Sequence, residues 1–256
     1  MGRNWIHAAL ASRSRFLIDL RLGPRTLELA AELVASVAMV CCTVSRAGTW
    51  LGSLLLLIDD HLPYPNAILQ VLGRIRHRRR RGGRGRRKHP DLAPPPRLLV
   101  GVVEKLRNAT GKLLRVRTRV LFGGGKRRLV RLIKRLKLGR QINTAHVERL
   151  NGTLRSQQQA RLGRRTRSVS RHGSALQWSL WLWRDLYNWV HPHGSLDGRT
   201  PAMALELAEA PWSVRGDVWH VVHVSDLQRQ IWAEERQSWL SSALEVGERQ
   251  KRLPTS

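Results

Sequence analysis

Two acidic positions stand where hard-ligand metal chemistry could be built. Asp59 and Asp60 end the continuous apolar run Leu54–Ile58. Such a run suits a strand buried on both faces, and open α/β sheets gather ligands beyond the carboxyl ends of their strands. A plain exposed turn of two acids before Pro63 explains the same residues equally well. Glu148 lies in the stretch from Asn143 to Arg155, NTAHVERLNGTLR. At about 100° per residue, Val147, Leu150 and Leu154 share one side of a helix, and Glu148, Gly152 and Arg155 lie opposite with Asn151 nearby. The glutamate then points away from the core among polar neighbours that suit DNA, a description that also fits a solvated surface glutamate. A strand-end aspartate and a helical glutamate brought together would offer oxygen ligands for Mg²⁺ or Mn²⁺.

Other reactive residue types favour structural readings. Cys41 and Cys42 are neighbours in an apolar run, and two cysteines make neither a disulfide framework nor a four-ligand zinc site. His191 and His193, in His-Pro-His, suit a packing turn better than a metal pair. Trp178, Leu182, Leu186 and Trp189 form a stripe at helical spacing, flanked by Trp181, and read as core rather than as a base-stacking platform. The sequons at Asn108 and Asn151 read as chance matches.

These positions need elements to carry them. Trp5–Leu10 and Phe16–Leu22 are short apolar runs joined by Ser12-Arg-Ser-Arg15, a hairpin pattern. Gly23-Pro-Arg-Thr26 ends the second strand, with Thr26 as N-cap of a helix from Leu27 and Glu28 favourable in its first turn. Arg74–Lys88 is low-complexity, Gly-interrupted and self-repelling, the pattern of a flexible arm, and His89–Pro96 reads as a stiff extended linker. From Leu98 the pattern is structured again: LLVGVV, a turn at Asn108-Ala-Thr-Gly111, then LLRVRTRVLF. In the last run Arg115, Arg117 and Arg119 alternate with Val116, Thr118 and Val120, so period two puts the arginines on one strand face. After three glycines, KRRLVRLIKRLK places Leu129, Leu132, Ile133 and Leu136 at helical spacing with Lys or Arg opposite, a face better suited to phosphates than to solvent alone.

The chain has 256 residues, 46 Lys plus Arg against 18 Asp plus Glu, and a net charge of +28. That balance points to a polyanion, nucleic acid first. An apolar fraction of 42% excludes a wholly disordered basic tail. About 25 of the 46 basic residues, with only Asp91 and Glu104 as acids, fall between Arg74 and Arg140, so this segment holds most of the charge. The start lacks a long apolar region, and Glu28 and Glu32 interrupt the longest apolar stretch, Leu27–Val44; the expectation is a cytosolic, nucleoid-associated protein with no membrane span.

Several segments resemble one family in consistent order over roughly residues 5 to 215. NTAHVERLNGTLRSQQQARLGRRTRSVS resembles the glutamate segment of DDE transposases of the insertion-sequence-one type. LRLGPRTLELAAEL is similar to the strand and Gly-x-Arg-Thr helix start of that family. IDDHLPYPNAIL resembles its second-aspartate segment, with Tyr64 five residues after Asp59. YNWVHPHGSLDGRTPAMAL is similar to the element that closes many integrase-type domains.

The resemblance implies an α/β, ribonuclease-H-like core in which Asp, Asp and Glu hold two Mg²⁺ or Mn²⁺ ions for phosphodiester strand transfer. Asp59 would be the second acid and Glu148 the third. Arg149, Asn151 and Arg155 match the motif and would position DNA, with Arg140 and Asn143 as further backbone contacts. The family's first aspartate lies on a strand upstream of the hairpin that starts near Trp5. Asp19, on the following strand, is poorly placed to substitute, so the core is expected to be incomplete at its N-terminus, leaving two strand pairs without the central strand. The expected organisation is a partial core over 1–73, a basic arm and linker over 74–97, a basic strand-helix insertion over 98–140, the rest of the core with the glutamate helix over 141–225, and a tail over 226–256 with an amphipathic pattern through Trp232 and Trp239. Partners would be DNA, both transposon ends and target, with homo-oligomers allowed and no membrane. The competing outcomes are an N-terminally truncated transposase, active or inactive in strand transfer, a decayed remnant, and a non-catalytic basic nucleic-acid-binding protein.

Overall fold

A computed structural model describes residues 5–44, 54–76, 91–139, 144–157 and 173–213. The architecture is mixed α/β, as expected. Described residues through Arg25 and from Val130 onward make one compact unit, and those from Thr26 to Leu129 make the other.

In the first unit, β1 (Trp5–Leu10) runs antiparallel to β2 (Leu17–Gly23), the hairpin that the two apolar runs predict. A bulge shifts the register between Ala9 and Leu10, so that Ala9 faces Asp19 but Leu10 faces Leu17. The extra residue resets the alternation, and Leu17 and Leu20, three positions apart, enter the same core. Leu150 and Leu154 of α4 (Ala145–Gln157) and Leu180 and Trp183 of α5 (Gly173–Asp185) complete it, with Tyr187 from a π-helical turn, Leu186–Val190, that extends α5.

The α5 stripe needs correcting. Trp178 and Leu182 are exposed, at 53% and 47%, whereas Leu180, Trp183 and Tyr187 are buried. Both stripes have helical spacing; β2 packs against the second because Gln177 and Asn188, which flank it, supply amides to the strand. The Gln177 amide takes the Leu22 N–H (2.7 Å) and gives a hydrogen bond to the Leu20 carbonyl (2.8 Å). The Asn188 amide does the same for both backbone groups of Leu17, at 2.8 and 2.9 Å. Side chains thus satisfy the free edge of β2 that a third strand would otherwise pair.

In the second unit, β3 (Leu54–Asp59) pairs in parallel with β6 (Leu98–Arg107), which pairs antiparallel with β7 (Leu113–Phe122). The sheet order is β3-β6-β7. β3 is only partly buried and ends the sheet among the described strands; the strand buried through Leu98–Val103 is β6. The expected insertion over 98–140 therefore contributes the central strand to the sheet of Asp59, because its apolar run buries more completely than Leu54–Ile58. Small and apolar residues of α1 (Leu27–Val44) and α2 (Tyr64–Leu72) pack on the sheet: Ala30, Ala31, Val34 and Ala38 with Ala67, Ile68 and Leu72 around Leu98 and Val100. Thr26 caps α1, its hydroxyl accepting the Leu29 N–H at 3.4 Å.

The expected arm and linker also begin and end differently. Arg74–Arg76 (β4) and Asp91–Ala93 (β5) form a short antiparallel ladder, locked by a two-pronged Arg76–Asp91 pair at 2.7 and 3.1 Å. The residues of the arm between them, and the tail from Asp226, lie outside the described residues. No helix among the described residues is long and apolar enough to cross a membrane.

Candidate functional site

Asp59 is the last residue of β3, in register with Val103, and it is exposed. The chain turns immediately afterwards: the Asp60 N–H reaches the Val103 carbonyl (3.0 Å) and the His61 N–H the Asp59 carbonyl (2.7 Å). Pro63 then leads into α2, with Tyr64 edge-on to His61 at 5.1 Å between ring centroids. The two aspartates have different surroundings. Asp60 accepts a hydrogen bond from Arg119 Nη2 at 2.7 Å. Asp59 forms no ion pair among the described residues, so its carboxylate is the one available at the strand end.

Arg119 begins a ladder. Arg115, Arg117 and Arg119 share one face of β7, opposite Leu106, Glu104 and Val102. Successive rungs are about 7 Å apart, since a strand rises about 3.4 Å per residue. From Leu113 to Arg117 every residue of β7 is exposed, so the outer half of the β6–β7 hairpin is a two-stranded ribbon open on both faces. Its tip is set by Asn108, whose side-chain oxygen accepts bonds from the Lys112 N–H and the Thr110 hydroxyl, with Gly111 at φ 82°. Beyond β7, Gly123 adopts φ 89° where an added Cβ would lie 2.2 Å from the Leu98 carbonyl oxygen, which only glycine tolerates. α3 (Lys126–Arg135) follows with Leu129 and Ile133 fully buried and Lys126, Arg127, Arg128, Arg131, Lys134 and Arg135 exposed. The amphipathic helix expected from sequence is present.

Helix α4 presents its faces as the periodicity predicts. Leu150 and Leu154 are buried, whereas Glu148, Arg149, Gly152 and Arg155 are exposed and Asn151 is half-buried. Buried Thr144 precedes the helix and donates its hydroxyl to Glu148 Oε1 at 2.7 Å, fixing the carboxylate over the first turn, where the helix dipole favours it. Arg140 and Asn143 lie outside the described residues. Asp59 belongs to the second unit and Glu148 to the first.

The first unit also contains polar groups to which the sequence reading gave no role. Asp19, 3% exposed, is used up structurally: its carboxylate meets the Leu20 N–H, Arg21 Nε at 2.6 Å and Trp181 Nε1 at 3.2 Å. It is no metal ligand in waiting, as its strand position suggested. Arg15 sits in the hairpin turn with φ 59°, and burial lowers its guanidinium below the ordinary value. Burial likewise lowers His146, with Arg15 and Arg149 adding like-charge repulsion, and raises the Tyr187 phenol. His193 stacks edge-on against Tyr187 at 4.4 Å, and burial is the main cause holding its imidazole low. The His-Pro-His turn is a packing element, with the Gly198 and Leu196 amides both returning to the His193 carbonyl. The one available signal for Asn188, its place in Tyr-Asn-x-x-His, names no role without the strand it bonds.

No group of three or more His, Cys, Asp or Glu residues able to hold a metal occurs among the described residues. Asp59 and Glu148 have the right chemistry for a hard divalent cation, as carboxylate oxygen donors. A family model described as Integrase core domain matches residues 133–201, a span that includes Glu148, Asn188 and His193. No curated protein and no solved structure matches the chain.

Proposed function

We propose that this protein acts on DNA as a transposase or integrase-type strand-transfer protein. The observation that carries the reading is the Integrase core domain match across α4 and α5, on which Glu148 occupies the exposed face. The arginine ladder supports it independently, because it starts at the carboxylate pair ending β3 and runs outward along an open ribbon. A ribbon of this kind fits the roughly 12 Å width of a B-DNA major groove, and exposed arginines neutralise phosphates.

In this reading Asp59 and Glu148 are the residues that would hold Mg²⁺ or Mn²⁺. The metal would stabilise the attacking and leaving oxygens of an in-line phosphodiester displacement. Arg149, Asn151 and Arg155 hold the DNA backbone beside Glu148, and Arg140 and Asn143 extend that contact. Asp60, neutralised by Arg119, keeps the turn after β3 in place. The test is Mg²⁺-dependent nicking or joining of supercoiled DNA by the full chain. Asp59→Ala and Glu148→Ala should each abolish it while leaving DNA binding in EDTA intact; cleavage that persists in both variants refutes the catalytic assignment.

A second reading is a non-catalytic DNA-binding protein derived from such an enzyme. It is favoured by the exposed arginines of β7 and the basic face of α3, which need no metal to bind a polyanion. It predicts steep, metal-independent, salt-sensitive binding and no cleavage at any Mg²⁺ or Mn²⁺ concentration.

A further inference from the structure

We infer that Arg15, an electrostatic neighbour of Arg149 and His193, forms a phosphate-binding site on the first unit, separate from the arginine ribbon. Arg15 Nη1 is enclosed yet has no hydrogen-bond partner. An enclosed guanidinium N–H with nothing to bond is costly, even though Arg15 as a whole is only half-buried. Among the described residues neither Arg15 nor Arg149 forms an ion pair.

The placement of Arg15 is also specified. Its backbone is held in the left-handed region at φ 59°, where a side chain other than glycine is strained. Two residues later the Asn188 amide clamps both backbone groups of Leu17. Asn188 adjoins Tyr187, whose ring carries the His193 imidazole, and Arg15 is an electrostatic neighbour of Tyr187, His193 and Arg149. Two like-charged guanidiniums, one of them on a strained turn with an unpaired donor, are what an oxyanion would relieve. A phosphate suits them, because its oxygens accept several bonds at once and match the planar guanidinium fork.

The phosphate could belong to a DNA backbone or be free in solution. The DNA source rests on the DNA-acting reading above; the site itself does not. Both arms use the full chain in EDTA, so failure of metal-dependent strand transfer leaves them unaffected. In the first, inorganic phosphate is titrated while the ring-proton NMR signals of His193 and Tyr187 are followed. Saturable shifts are expected, lost in Arg15→Gln and weakened in Arg15→Lys, which keeps the charge but not the guanidinium fork. In the second, affinity for a short duplex DNA is measured against NaCl concentration. Loss of one phosphate contact in Arg15→Gln should make the slope of log K against log[salt] shallower by about 0.9. Arg15-dependent phosphate shifts with a changed slope identify the DNA backbone as the source; the same shifts with an unchanged slope identify free phosphate. No saturable shift and an unchanged slope overturn the site. Arg15→Gly relaxes the turn and removes the guanidinium, so it must match Arg15→Gln; binding retained in Arg15→Gly would also overturn it.

Discussion

Replacing Asn188 by Leu tests whether side-chain amides hold the edge of β2. Asn188 is 1% exposed, and its amide satisfies both the N–H and the C=O of Leu17, itself fully buried, across 171 positions of sequence. Leucine has the same branched skeleton and no polar atom, so the substitution leaves two enclosed backbone groups unmade, and its bulkier methyl groups can only add to the cost. Each orphaned group costs roughly 1–3 kcal/mol, so the pair should cost about 2–6 kcal/mol. That is a large part of the ~5–15 kcal/mol by which a typical domain is stable. In urea, with an m value near ~3 kcal/mol/M, a loss of about 3 kcal/mol moves the midpoint by about 1 M without changing the slope. Gln177→Met is the comparison, because it removes two similar bonds at the half-buried end of the strand, where water can replace them. It should cost distinctly less. Amide exchange supplies the local readout: Leu17 should lose protection in Asn188→Leu while Leu150 and Leu154 follow only the global change. A midpoint within about 0.2 M of the parent, with Leu17 still protected, would show that the strand edge does not depend on this amide and would refute the reasoning.

Three further outcomes follow from the same structure. Leu154→Ala, at a side chain 2% exposed in the core of the first unit, should lower stability by about 2–5 kcal/mol, measured by the urea midpoint; a loss below ~1 kcal/mol would contradict its packing against Leu17, Leu20 and Leu180. Gly123→Ala should cost roughly 2–5 kcal/mol, since it adds both a φ of 89° and a carbon 2.2 Å from a backbone oxygen, and a thermal melt matching the parent would show that the turn can move aside. Burial holds His146 and His193 below their unfolded values, so the unfolded chain takes up protons more readily. Stability should therefore fall as the pH drops through the unfolded histidine value near ~6.5, and the His146→Gln, His193→Gln double variant should flatten that fall; an unchanged acid-side slope would count against it.

Local periodicity carried much of the architecture. The β1–β2 hairpin, the Thr26 cap, the Asn108–Gly111 turn, the one-sided arginines of β7, the amphipathic α3 and the polar face of α4 all depend on interactions within a few residues, which spacing and residue type report directly. The placement of single candidate residues on these elements was legible in the same way. Asp59 at a strand end and Glu148 on an exposed helix face could be named, as could Arg149, Asn151 and Arg155 around the glutamate. The Arg119 partner of Asp60, 59 positions away, could not.

Sequence alone therefore determined which residues are acidic, basic or apolar along each element, and hence that a strongly cationic chain carries two carboxylates of the right chemistry for a metal. Tertiary structure decided which surfaces those elements use. Leu98–Val103 became the parallel partner of the Asp59 strand because parallel pairing is made across a crossover and leaves no local turn signal. On α5 the Leu180–Trp183–Tyr187 side was buried instead of Trp178 and Leu182, since two stripes of equal spacing differ only in whether Gln177 and Asn188 can reach a strand edge. Arg15 looked like an ordinary turn residue until the hairpin met Asn188 and Tyr187. The enclosure of its Nη1 and its like-charged neighbour Arg149 come from segments far apart in the chain, where no pattern of spacing can register them.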